Sequence, residues 1–386
     1  MALFTTYLFG TFILGCVVNL TKSDQLKKIY LTLTFLIAFI ITGFRGATVG
    51  IDTYPTIQLY RKVALFGTSG QLRSSEIEQG YVFLCRILSM ITINPQILLI
   101  FTSVLICCAF CLVIKRYSKD YMMSCVVFVS TIFTVTMNVS RQYMALALVI
   151  FAILYAVEKK TKTTLVFLLG AVSIHYSALV FFPIWILSFP KFKFTTKKLL
   201  LIGGVSFLAV PLYMTLVSLL FSFFPQYARF MTSTKYTSTS EISYPYLFFL
   251  CMILLLEIWT IIPRKTKEGH SVTLQMANMR AGVESEKEYE REEVANYLFT
   301  VLFIEYIIIY LISRELWIAS RLSYFFQFSL VIVIPNIIYR LKSQGASKYT
   351  TLLIKIVFLL YFINFGYRYF ANDPHGVLPY VFCWDQ

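Results

Sequence analysis

Apolar runs of about the length of a membrane span recur from one end of the chain to the other, and that repetition decides the fold class. A helix needs roughly 20 mostly apolar residues to cross a hydrocarbon core of about 30 Å. Breaking the sequence at charges and prolines leaves runs near 3–20, 29–44, 96–114, 121–137, 139–157 and 163–174, followed by 176–189, 199–223, 244–262, 296–312, 318–339 and 350–367. In lipid such a run must satisfy its own backbone hydrogen bonds, which makes helices the economical reading. The sequence therefore predicts an all-α polytopic integral membrane protein with about 12 transmembrane helices, roughly 10 to 14 being admissible. Only 14% of residues are charged, against about 25% in soluble domains. The expectation is one membrane domain over residues 1–386, with no separate soluble domain.

The net charge of +15 could mark a nucleic-acid partner. The distribution argues against one, because Lys and Arg fall in short clusters between the apolar runs, as they do in cytoplasmic loops. With the first residue outside and the spans alternating, the inside loops hold 22 basic residues and the outside segments 11, Lys355 lying within the last span. Residues 1–20 have no basic stretch before the apolar run, so they read as a first span rather than a cleaved signal. The prediction is a multi-pass protein of the bacterial cytoplasmic membrane with both termini extracytoplasmic. The same counting divides residues 163–189 at Ser173-Ile174-His175, since one long helix would carry the cluster from Lys191 to Lys198 to the outside. Each half is then short, and paired short half-spans often mark a binding site.

Two segments leave the membrane in this reading. Residues 45–95 form a large extracytoplasmic loop with an amphipathic stretch around 81–93. Residues 264–293 form a charged cytoplasmic segment that ends in a glutamate-rich run, Glu284 to Glu293, a solvated helix or an irregular stretch. The eight cysteines show no metal-ligand spacing, and Cys107-Cys108-x-x-Cys111 lies in an apolar helix without histidine or acid nearby. Cys85 and Cys383 fall on one face of the membrane, where a disulfide is open to them.

Ionisable groups at span ends are expensive and usually functional. On the outer face stand Arg45, Asp52 and Tyr54 after the second span, with Gly50 and Pro55 turning the backbone. An ion pair between Arg45 and Asp52 is the plain alternative there. Glu76 and Glu78 come late in the outer loop, before Gly80 and Tyr81. Arg141 opens the fifth span, where a snorkelling anchor is the ordinary role. His175 lies at the break between the short halves, and Arg321 and Tyr324 begin the eleventh span. Guanidinium forks suit phosphate oxygens, and a carboxylate or imidazole is the usual proton acceptor in group transfer. The residue types thus point to an amphipathic, anionic, lipid-linked substrate. No dense carboxylate cluster invites a metal, and no other cofactor is called for.

Five pieces occur in order: Arg45-x4-Gly50-x-Asp52-x-Tyr54, Glu78-x-Gly80-Tyr81, Arg141-Gln142-x-Met144-Ala145, His175-x-Ser177-Ala178-Leu179 with Pro183, and Arg321-x-x-Tyr324-Phe325. This ordered set resembles the EpsG branch of the Wzy-type polysaccharide polymerases of bacterial cell envelopes. Thr53 between Asp52 and Tyr54 is a departure, as is the charged segment 264–293. The resemblance implies glycosyl transfer on the outer leaflet, joining oligosaccharide repeat units carried on undecaprenyl pyrophosphate into an exopolysaccharide, capsule or O-antigen-like polymer. It implies that Arg45, Arg141 and Arg321 hold the pyrophosphate, that Asp52 or His175 takes the acceptor proton with Glu78 ranking behind them, and that Tyr54 and Tyr81 stack on sugars. A chain-length regulator and other polysaccharide-assembly proteins are the partners it implies, together with membrane lipid.

A flippase for the same lipid-linked saccharide would share the span count and the arginines. It should also place charges along a path through the membrane, and here only Glu305 and Lys355 lie mid-span, with pairing to each other or to a tyrosine hydroxyl as the plain role of Glu305. A membrane acyltransferase acting on polysaccharide and a structural subunit without chemistry are the remaining alternatives.

Overall fold

The structure, a computed structural model, describes residues 1–21, 23–67, 77–190, 197–198, 201, 243–261, 283–313 and 317–385. Among them the secondary structure is helical, with one isolated bridge between Arg45 and Phe382. The helices are α1 (Ala2–Leu20), α2 (Asp24–Gly43), α3 (Thr53–Phe66), α4 (Gln79–Ser89), α5 (Gln96–Tyr117), α6 (Tyr121–Thr131), α7 (Phe133–Asn138), α8 (Ser140–Val157), α9 (Thr161–Ile174), a 3₁₀ segment (Tyr176–Phe181), α10 (Ile184–Leu187), α11 (Tyr244–Ile261), α12 (Val283–Ile312), α13 (Trp317–Gln327), α14 (Leu330–Ser343) and α15 (Lys348–Asn372). Seven of the described helices are long and apolar enough to cross a membrane, and α13 with α14 makes an eighth if the bent pair is one span. The protein is an all-α, multi-pass membrane protein. The expected span at 199–223 falls almost wholly outside the described residues, as does the half of the charged segment before residue 283.

The chain forms two compact units, Met1–Pro190 with Leu353–Gln386, and Lys191–Leu352. In the first, α1 and α2 lie antiparallel, the Tyr7 hydroxyl donating to the Thr34 carbonyl at 2.8 Å and the Tyr30 hydroxyl to the Thr11 carbonyl at 2.9 Å. Ser23 caps α2 by accepting from the Leu26 amide at 3.3 Å, satisfying one of the donors that a helix start leaves open. Gln96, at the start of α5, donates to the Gly43 carbonyl at 2.6 Å and so brings the end of α2 beside the start of α5. Every residue of α6 from Met122 onward is buried, which puts this helix at the centre of the unit. A helix apolar all round belongs in such a place.

The run 121–137, expected as one span, is broken at Ile132 into α6 and α7. Residues 163–189 divide where the charge pattern predicts: α9 stops at Ile174, His175 is extended, and the chain returns through the 3₁₀ segment and α10. The return is fixed by Lys159, which donates to the Leu187 carbonyl at 2.8 Å, and by the Thr161 hydroxyl, which donates to the Ser188 carbonyl at 2.9 Å. Both strokes therefore begin and end at one level, with His175 at the far end. The segment 45–95, expected as a large extracytoplasmic loop, is helical over much of its described length. It contains α3 and α4, whose buried residues (Ile57, Tyr60 and Val63 on α3; Tyr81, Val82, Cys85 and Leu88 on α4) recur at helical spacing.

Lys355 is paired with Asp120, and this corrects the expected partner Glu305. Asp120 also accepts from the Met123 amide at 3.2 Å, capping α6. One carboxylate thus starts a central helix and neutralises a cation inside the unit. Replacing Lys355 with Ala is expected to lower stability by about 1–3 kcal/mol, because the charge left behind loses its partner. Lys355→Met combined with Asp120→Asn should recover most of that loss, since Asn keeps the cap. Thermal unfolding in detergent reads both, and a double variant no more stable than Lys355→Ala would refute the pairing as the cause. Cys85 and Cys383 are both free thiols, so the open disulfide is not formed.

In the second unit α11 and α12 lie antiparallel, with the Tyr246 and Tyr306 hydroxyls 2.9 Å apart. Nearer the other end, Glu257 is buried and pairs with Arg340, and it accepts from the Thr300 hydroxyl at 2.6 Å. The run 318–339 is not one straight span: residues Ser320–Gln327 and Leu330–Ser343 meet at 46°. At the bend the Ser329 hydroxyl donates to the Phe326 carbonyl at 2.8 Å, and Pro335 inside α14 lacks the N–H that would continue the ladder. The expected inner segment is helical from Val283 and runs unbroken into the span that ends at Ile312.

Candidate functional site

Glu78 stands immediately before α4, and its carboxylate is the hub of the site. One oxygen, Oε1, is 2.8 Å from His175 Nδ1 and accepts from the Tyr176 amide at 3.2 Å. The other, Oε2, accepts from Arg141 Nη1 at 3.1 Å. Glu78 is 3% exposed, His175 23% and Arg141 36%, so a sealed carboxylate holds two groups that reach the surface. Burial alone would push this carboxyl up. The hydrogen bond and charge of His175, with the charge of Arg141, outweigh it and hold the group below its ordinary value.

Three local features bring these side chains together. His175 sits at the break after α9, where its backbone leaves the helix and Tyr176 turns an amide toward Glu78. Arg141 is the second residue of α8, just past the turn at Val139. Gly80 lets α4 approach α9 closely: a Cβ there would stand 2.5 Å from the side chain and carbonyl oxygen of Ser173. Gly80→Ala is therefore expected to push α4 off α9, lengthen the Glu78–His175 contact and destabilise the unit by about 1–3 kcal/mol. Because the clash includes the Ser173 carbonyl, Ser173→Ala should not restore the variant. Unfolding midpoints of the single and double variants test this.

Tyr81 is 1% exposed and lies under Arg141, whose guanidinium carbon is 5.4 Å from the ring centroid. Its ring supports the arginine and is closed to a sugar, which corrects the stacking role expected for it. Tyr54, by contrast, is 58% exposed. Nη1 of Arg141 is the guanidinium nitrogen that meets Glu78, and the side chain is 36% exposed.

Arg45 is 1% exposed, and burial lowers its pKa to about 10, leaving it charged at neutral pH. It donates to the Thr42 carbonyl and, from Nε, to the Thr53 hydroxyl at 3.4 Å, not to Asp52. The ion pair with Asp52 is therefore not made. Direct contact with a pyrophosphate, the role expected for Arg45, is blocked by this cover. Thr53 also donates toward the Val49 carbonyl at 2.7 Å and the Met137 carbonyl at 3.1 Å. The residue that departs from the motif is thus the one that bolts the loop to the bundle. Gly50, at φ +92°, brings the loop within 2.6 Å of where a Cβ would meet the Met137 carbonyl. Asp52 is half-buried at the start of α3, and its amide donates to Asn138 Oδ1 at 3.0 Å.

Asp52, Glu78, Arg141 and His175 thus gather at one end of the first unit. Arg321 and Tyr324 lie on α13, in the second unit. Asn138, Tyr369 and His375 are polar residues at this same end of the first unit that sequence reasoning missed; His375 Nδ1 is 3.0 Å from Asn138 Nδ2 and Nε2 is 2.6 Å from the Tyr369 hydroxyl. The rarity of histidine, with three in the chain, was the available signal. No group of three metal-ligating side chains occurs among the described residues.

A family model described as the EpsG family matches residues 28–382, a range that includes every residue of this cluster. The chain belongs to the EpsG family. Membership of the EpsG family implies a polysaccharide-polymerase-like, glycosyltransferase-like function. No curated protein and no solved structure matches the chain.

Proposed function

We propose that this EpsG-family chain polymerises oligosaccharide repeat units carried on undecaprenyl pyrophosphate, at the outer face of the bacterial cytoplasmic membrane. The observation that carries the reading is the buried Glu78 carboxylate clamping an accessible imidazole and an accessible guanidinium. The acceptor hydroxyl attacks the anomeric carbon of the donor sugar, a new carbon–oxygen bond forms, and the bond to the pyrophosphate breaks with its electron pair leaving on the lipid pyrophosphate. With Nδ1–H given to Glu78, the lone pair of neutral His175 is on Nε2, and this nitrogen takes the acceptor proton. Glu78 orients the ring and stabilises the imidazolium that results, as a carboxylate does for a catalytic histidine. The outward donors of Arg141 bind the departing pyrophosphate. The resemblance extends that role to Arg321, with Tyr324 beside it on α13, and keeps Asp52 as the rival base and Tyr54 as a sugar contact. The scheme uses no metal and no other cofactor. Chain-length control by other assembly proteins would act on the same product.

Analysis of lipid-linked saccharides in cells producing Arg141→Ala tests the reading. Single repeat units should accumulate on the outer leaflet while polymer disappears and the variant stays inserted. Units trapped on the inner leaflet would identify a flippase instead, and normal chain lengths would remove Arg141 from the chemistry.

A further inference from the structure

The segment that follows α15 folds back over the loop carrying Asp52. Gly46 N donates to the Val381 carbonyl at 2.9 Å, Gly50 N to the Gly376 carbonyl at 2.8 Å, Ile51 N to the His375 carbonyl at 3.1 Å and Cys383 N to the Phe44 carbonyl at 2.9 Å. His375 is 3% exposed beneath this strap, and both of its ring nitrogens are engaged. The protonation state of the ring follows from the bonding pattern. A backbone amide can only donate, so the Asp52 N–H fixes Asn138 Oδ1 as its acceptor. Asn138 Nδ2 then faces His375 Nδ1 and must donate to it. Nδ1 therefore carries no proton, and the neutral ring holds its hydrogen on Nε2, toward the Tyr369 hydroxyl.

We propose that His375 is a positioning residue for the Asp52 loop, holding it through Asn138 and through its own carbonyl, and doing so as the neutral Nε2–H tautomer. The chain of bonds runs from Tyr369 on α15 through His375 and Asn138 to the backbone of Asp52. Asn138 also ends α7, three residues before Arg141, so the same clamp steadies the turn from which Arg141 projects. The importance of this clamp for turnover rests on the polymerase reading above. The clamp itself does not.

Nitrogen-15 spectra of the imidazoles, recorded on the full chain in lipid bilayers, test the tautomer. The chain has three histidines, and His375→Asn assigns the third set of signals by removing it. One protonated nitrogen at Nε2 and one unprotonated nitrogen at Nδ1 are expected, the latter shifting in Asn138→Ala. A ring protonated at Nδ1 overturns the proposal. Hydrogen exchange of the Ile51 and Asp52 amides should quicken roughly tenfold in His375→Ala and return toward wild type in His375→Asn, whose Oδ1 can accept from Asn138. Unchanged exchange in His375→Ala would also sink it. Turnover should fall about tenfold in His375→Ala and recover to within roughly threefold in His375→Asn. Both readouts without catalysis hold or fail whether or not the chain makes polymer. If they hold and turnover is unchanged in His375→Ala, positioning is refuted while the role of His175 stands.

Discussion

His175→Ala is expected to lower polymer formation by about 10²–10⁴-fold, the span typical of a lost general base, while the protein remains inserted and abundant. The ring is 23% exposed, at the break between two short helical strokes, and its Nδ1 is anchored on Glu78 at 2.8 Å. On the proposed reading, removing it deletes the proton acceptor without emptying a core, because the surrounding packing is carried by α8 and α9, whose buried faces are largely apolar. Donor lipid should still bind, since Arg141 keeps both Glu78 and Tyr81 beneath it. The measurement is turnover of lipid-linked repeat units in membranes, with KM read separately. A loss in kcat at nearly constant KM is expected, and full activity would transfer the proton to another group, Asp52 first.

Glu78→Gln is expected to lower kcat by a comparable factor, roughly 10²–10⁴-fold, as orienting carboxylates do beside a catalytic histidine. Gln has the same shape, and its carbonyl can still accept from His175 and the Tyr176 amide. Its amide group then faces Arg141, setting donor against donor where Oε2 now accepts at 3.1 Å. The negative charge that stabilises an imidazolium is gone as well. The acid limb of stability should also change. Because the carboxyl of Glu78 is held below its ordinary value of 4.5, its contribution is present above that value and is lost as pH falls through the lowered one. The wild type should therefore destabilise in acid more steeply than Glu78→Gln, which has no proton to take up there. Unfolding midpoints against pH report the difference, and parallel curves would show that the carboxylate is not ionised in the cluster.

The long apolar helices were legible because apolar length is a local signal. The break at His175 was legible too, since an unbroken helix would have inverted the charge pattern after it. Helix α4 was foreshadowed by the amphipathic stretch around 81–93, but α3 was not: its apolar residues lie at helical spacing but are diluted by Arg61 and Lys62, and in a segment outside the spans this reads as a loop. The centrality of Glu78 could not be read from spacing. Its partners Arg141 and His175 are far away in sequence, and only the close approach at Gly80 brings the carboxylate between them. The same holds for Thr53, whose value lies in the carbonyls it reaches, and for His375, which acts through a strap closed by backbone bonds. Arg45 shows the reverse error. Its residue type promises an anion site, but Thr42 and Thr53 enclose it.

On the proposed reading, the short strokes on either side of His175 bear on how a greasy donor would meet a sugar-bearing acceptor. Helix α9 has 14 residues, so at about 1.5 Å per residue it rises roughly 21 Å, well short of a hydrocarbon thickness of about 30 Å. If α9 and its return stroke sit in the bilayer as the proposed reading has them, the leaflet must dimple or water must enter above the imidazole. On the proposed reading, either would let the donor's phosphates sink to the depth of the ring while its lipid tail stays among the acyl chains. Thicker bilayers should then deepen that well and slow the proposed polymerisation, and thinner ones should hasten it.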